Sequence, residues 1–156
     1  MTESSKLYVE IEAPEHGWTH VKLKSGNSFY QFFPSDVPVD SISELAKAIV
    51  EILSVNKEAT VYWNDEPVVH NFVFKIENEQ CDFKVYEVFE SIVGEKLIER
   101  FSFNGTKQEV LRPFWKALCD LKSKQSLEEY EAQWNNPFPA QEVVEIKHQL
   151  KSLKDL

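Results

Sequence analysis

The stretch VVHNFVFKIENEQCDFKVYEV, residues 68–88, decides the fold. Phe72, Phe74 and Ile76 fall on alternate positions of its first half, the period of a strand with one buried face. Asn78, Glu79 and Gln80 make a hairpin tip, and Cys81–Val88 answers with Phe83 and Val85 at the same spacing. So short a return permits only antiparallel pairing. Val68–Glu77 is the longest strand the sequence predicts.

Working outward, Ala59–Asn64 reads as a strand turned by Asp65, Glu66 and Pro67, and Lys96–Phe103 as a further strand, although Glu95–Arg100 alone also fits a helix. Nearer the N-terminus, Leu7, Val9 and Ile11 alternate with Tyr8, Glu10 and Glu12. A second strand is expected near Trp18–Lys24 and a third over Ser28–Phe33, joined by Gly26-Asn27, residues that tolerate positive φ. Pro34 stops the third strand because it cannot donate to a ladder. Residues 1–6 read as a flexible tail.

Between these groups Ile42, Leu45, Ala46, Ile49, Ile52 and Leu53 recur at helical spacing behind Ser41-x-x-Glu44, a capping-box pattern. The spacing predicts a helix over 41–54. After Asn104-Gly105 the period changes again. Thr106-x-x-Glu109 opens a stripe of Val110, Leu111, Phe114, Trp115, Leu118 and Leu121, within which Pro113 marks a kink or the effective start. Ser126-x-x-Glu129 opens a short helix through about Trp134, and Pro139 precedes a last stripe of Val143, Ile146, Leu150 and Leu153. The expected architecture over residues 1–156 is one α+β domain. It has a mainly antiparallel sheet of about six or seven strands, a helix after the third strand, and a helical C-terminal third packed on the sheet.

The formal charge of −9 argues against sequence-independent nucleic-acid binding, which needs a basic footprint, and suits a basic protein partner. Cys81 and Cys119 are too few and too far apart for a disulfide framework, so reduced thiols and a cytoplasmic setting are expected. The first residues lack the apolar core of a signal peptide, and no run reaches the length of a membrane span.

Gly17, Gly26, Gly94 and Gly105 are too dispersed for a phosphate-cradling loop, so no nucleotide cofactor is expected. His16, His20 and His70 lie on separate segments and read as surface histidines rather than a metal set. No catalytic motif is present. Asp65 and Glu66 are adjacent on a turn and point apart, unlike carboxylates sharing a catalytic cleft.

One pattern singles out a surface. Tyr8, Tyr62 and Tyr86 fall opposite in parity to Leu7, Val9, Val61, Phe83 and Val85, while Tyr30 shares a face with Phe32. If helices cover only the aliphatic face, the other carries tyrosines among Lys22, Lys75, Lys84 and acids, a composition suited to protein binding. The alternatives are that cross-strand aromatic pairs stabilise the sheet or that helices cover this face too.

Phe33-Pro34-Ser35-Asp36, Asp40-Ser41-Ile42-Ser43-Glu44-Leu45, Val61-Tyr62-Trp63-Asn64-Asp65-Glu66-Pro67, Trp134 and Phe138-Pro139 together resemble small acidic bacterial proteins. Some of these are similar in size and layout to immunity proteins of polymorphic toxin systems. The likeness is one of style over most of the chain and carries over no residue's role. It implies a cytoplasmic protein that binds and blocks a toxin domain. The expected function is thus a non-enzymatic protein-binding module using Tyr8, Tyr30, Tyr62 and Tyr86, with Asp65 and Glu66 at the rim. The alternative is a small enzyme or ligand-binding domain whose site assembles from loops.

Overall fold

In a computed structural model describing residues 5–154, seven strands form two antiparallel sheets joined to four helices. The smaller sheet holds β1 (Tyr8–Ile11), β2 (Val21–Ser25) and β3 (Ser28–Phe32) in that order. The larger holds β4 (Glu58–Asp65), β5 (Val68–Glu77), β6 (Gln80–Ser91) and β7 (Gly94–Thr106), also in sequence order. The helices are α1 (Ser41–Ser54), α2 (Lys107–Lys124), α3 (Leu127–Trp134) and α4 (Ala140–Lys154). Residues 1–4 of the expected tail lie outside the described residues; Ser5 and Lys6 precede β1 and are exposed.

The strands divide into two sheets rather than one because the chain between β3 and β4 is diverted through Pro34–Asp40 and α1. Among the described residues only single-residue bridges span the gap, Trp18 to Ser35 and Ser35 to Asn64. The small sheet instead lays its inner face on the large one. Phe32 stacks on the His70 ring at 4.3 Å and meets Trp63 and Phe72 edge-on at 5.8 and 5.7 Å.

Register gives the large sheet two unlike faces. Val61↔Phe72↔Val85↔Phe101 and Trp63↔His70↔Glu87 lie on the inner face, where Phe114 of α2 meets Phe72, Phe74 and Phe83 at 5.0–6.0 Å between ring centres. Phe72, Phe74, Phe83 and Phe114 are all fully buried. None of the outward residues of these strands is buried.

Local chemistry sets the helix starts. Thr106 and Glu109 form the expected reciprocal capping box, and α2 begins at Lys107 and runs through Pro113. At α1 the cap is Asp40, not Ser41: Asp40 Oδ1 accepts from Ser43 N at 3.2 Å and from the buried Trp134 Nε1 at 2.8 Å. Ser41 Oγ is drawn instead to the Tyr62 carbonyl at 2.5 Å, which fastens the helix start to β4. β6 and β7 run to 12 and 13 residues, so β5, at 10, is not the longest strand.

Candidate functional site

The outer face of the large sheet is built in rows. Tyr62↔Asn71↔Tyr86↔Glu99 stand abreast on β4 to β7, and Asn64↔Val69↔Val88↔Leu97 form the next row. Directly opposed residues in such rows have Cβ atoms about 5 Å apart. Val69, Val88 and Leu97 therefore make a continuous apolar strip across three strands, with a tyrosine row along one side. Tyr62 is 57% exposed and Leu97 53%. Lys84, one row further in, pairs with Glu99 at 3.6 Å.

Past Val88↔Leu97 the last two strands continue alone. Phe89↔Lys96, Glu90↔Glu95 and Ser91↔Gly94 pair beyond the last β5 partner, Val69↔Val88. Three residues of strand extend about 10 Å. The arm ends in Ile92 and Val93, both fully exposed. The Asp65–Val68 turn lies at this same end of the sheet.

Of the residues singled out from sequence, Tyr62 and Tyr86 are brought together across Asn71. Tyr8 is exposed but stands on the small sheet, opposite Lys24. Tyr30 turns the other way: it points between the sheets, where its hydroxyl shares a 2.7 Å hydrogen bond with His70 Nε2. Asp65 is half-buried and accepts from Phe33 N at 3.3 Å, so it fastens the two sheets; Glu66 is exposed on the turn.

The sequence reading missed a polar cluster beneath these rows. His70 is 1% exposed rather than a surface residue, because it shares the inward parity of Phe72 and Phe74. Glu87, its partner on β6, lies 3.7 Å from His70 Nε2. Arg100 reaches the same carboxylate through Nε at 2.8 Å and a terminal nitrogen at 2.7 Å. Arg100 gets there through a β-bulge: Val85 faces Phe101 while Tyr86 faces Glu99, leaving Arg100 as the extra residue that a bulge re-aims. Burial holds the His70 pKa below its usual value against the opposing pull of Asp65 and Glu87. Burial and the Glu87 carboxylate push Tyr30 up to about 12, so both rings are neutral at pH 7. His70 Nδ1 has no hydrogen-bond partner among the described residues.

A cleft of about 690 Å³ is open and is lined by Glu10, Glu12, Trp18, His20, Phe33 and Lys124 among others; it does not include His70. Two of its carboxylates are engaged, Glu12 with His20 at 2.6 Å and Glu10 with Lys22 and Lys124 at 3.6 Å, while Glu15 is exposed and approaches His16 at 4.0 Å. His16, His20 and His70 do not gather, and no group of three or more His, Cys, Asp or Glu suited to a metal occurs among the described residues. Burial raises both thiols, Cys81 to about 12. No helix among the described residues is long and apolar enough to cross a membrane. Comparison with protein families, with curated proteins and with solved structures finds no match to this chain.

Proposed function

We propose that this protein is a non-enzymatic binding module for a basic protein, docked on the outer face of the large sheet. In the cell it would act in the manner of an immunity protein, covering and blocking its partner in the cytoplasm. The observation that carries the reading is the apolar strip Val69–Val88–Leu97, which no helix among the described residues covers, flanked by Tyr62 and Tyr86. Antiparallel sheets commonly leave one face to water, but that face is then polar. Here it has an interface's anatomy, with an apolar centre, rigid aromatics beside it and charge at the margin. Glu66, Glu90, Glu95 and Glu99 supply that margin, and the net charge of −9 steers a basic target toward it.

The test uses the immobilised chain and an extract of its native host at two salt concentrations. A retained protein should be basic and should elute as salt rises. Tyr62→Ala with Tyr86→Ala should weaken its retention by about 30-fold per hot-spot side chain, roughly 2 kcal/mol, while leaving the melting temperature near that of the parent. Glu66→Gln should slow association; Asp65, which holds Phe33, is the wrong place for that test. If no protein is retained and a small molecule raises the melting temperature instead, the binding-module reading fails.

A further inference from the structure

Two adjoining features of the β6–β7 arm oppose the local rules of a stable hairpin. The first is its tip. Ser91 Oγ donates to the Gly94 carbonyl at 2.6 Å, and Gly94 takes φ +116°, a conformation that favours glycine. These two residues close the turn. The positions between them hold Ile92 and Val93, where Asn, Asp, Gly or Ser would serve the backbone better. Both are essentially as exposed as in an extended chain, at 106% and 96%. Neither contributes to the core, so their apolar surface has no use within the folded chain. The second feature is the Glu90↔Glu95 pair on the outer face, like charges directly opposed across the ladder and destabilising there. Neither glutamate has an ion-pair partner among the described residues.

A single kind of surface relieves both. An apolar pocket takes up Ile92 and Val93, and lysines or arginines at its rim neutralise Glu90 and Glu95. Because the arm overhangs the sheet by about 10 Å, it meets a concave site more readily than a flat one. Charge argues against the other occupants. A second copy brings another −9 and the same glutamates, and an anionic bilayer repels them. We propose that the arm beyond Val88 is an anchor that inserts its Ile92–Val93 tip into a pocket of the partner protein rimmed by basic side chains. This rests on the binding-module reading and assigns the chemistry and shape of the site the partner offers.

The experiment places a photoreactive benzophenone amino acid at Ile92, at Tyr62 or, as a control, at exposed Val144 of α4, in the full chain expressed in its native host. Adducts are mapped by mass spectrometry. The expected result is that positions 92 and 62 cross-link to the same protein, with the adduct from 92 beside Lys or Arg, and that 144 does not. In parallel, Ile92→Ser with Val93→Asn should leave the melting temperature of the isolated chain equal or higher. The same change should lower the cross-linking yield from position 62 at least tenfold. Cross-linking from 62 but not from 92, or a yield from 62 indifferent to the tip substitutions, overturns the anchor and leaves the sheet-face reading standing. No adduct from either position refutes both. An adduct from 92 to a second copy or to lipid overturns the basic pocket in favour of that occupant. If the tip substitutions lower the melting temperature, Ile92 and Val93 have a structural use and the argument fails at its first step.

Discussion

His70 makes the stability of this protein depend on pH in a way that can be isolated. The ring is buried, stacked on Phe32 and bonded through Nε2 to Tyr30, while Nδ1 has no hydrogen-bond partner among the described residues, so a doubly protonated ring would leave an N–H unsatisfied. Glu87 is close enough to welcome a cation, but Arg100 already occupies it. The folded-state pKa is therefore held below the ordinary value of 6.5, chiefly by burial. A group depressed in this way binds its proton more readily in the unfolded chain. Its contribution is fully present above pH 6.5 and is lost as pH falls from there toward the folded pKa. The unfolded pKa alone sets the ceiling of this loss, at most about 1.4 kcal/mol per pH unit below 6.5 and so no more than about 2 kcal/mol at pH 5.0. Paired carboxylates also weaken in acid, so the decisive quantity is a difference. His70→Phe keeps an aromatic ring on Phe32 and cannot titrate. Urea unfolding of parent and variant between pH 7.5 and 5.0 should show the parent losing more stability than the variant over that range, by up to about 2 kcal/mol. A difference independent of pH, or one in which acid favours the parent, would refute the account of His70 as a neutral interior group.

Three further outcomes test the core and the thiols. Phe114→Ala should cost about 3–5 kcal/mol, toward the upper end because its ring meets Phe72, Phe74 and Phe83 together; a cost near 1 kcal/mol in chemical denaturation would mean that α2 does not dock as described. Leu45→Ala in α1, at a fully buried position, should cost about 2–5 kcal/mol by the same measurement, and a change under about 0.5 kcal/mol would place the wrong face of the helix inward. A thiol reagent applied to the native chain should modify half-buried Cys119 well before Cys81, with Cys81 reacting only at the rate of unfolding; equal rates would contradict the burial of β6.

What could be read from sequence follows the reach of local rules. The span 41–54 is legible because its apolar stripe is unbroken, and β5 because Pro67 and Asn78-Glu79 bound it, the latter two adopting positive φ as the turn requires. The true cap of α1 was hidden because Ser41 and Asp40 are both good caps, and a tertiary bond to Tyr62 decides between them. The start of β7 was obscured for two reasons. Beyond Leu97 both faces of the arm meet solvent, so alternation carries no burial signal, and the extra residue at Arg100 breaks the period that remains. At the candidate site, the parity of Tyr62 and Tyr86 placed them outward together, as the ladder does. The same parity applied to His70 was enough to put it inside with Phe72, and treating it as one of a scattered trio discarded that signal. Tyr30 was grouped with the binding tyrosines although both faces of Ser28–Phe33 are aromatic, and only the docking of the small sheet, which sets Tyr30 against His70, distinguishes those faces.

The bulge at Arg100 separates chain length from register. Val85 already faces Phe101 and Tyr86 already faces Glu99, so deleting Arg100 would remove only the unpaired residue, and every residue from Gly94 to Glu99 would keep its partner and its face. What would be lost is the guanidinium that reaches Glu87, leaving that carboxylate beside His70 without its cation. The extra residue thus serves charge neutralisation beneath the sheet, and the pattern of the outer rows does not depend on it.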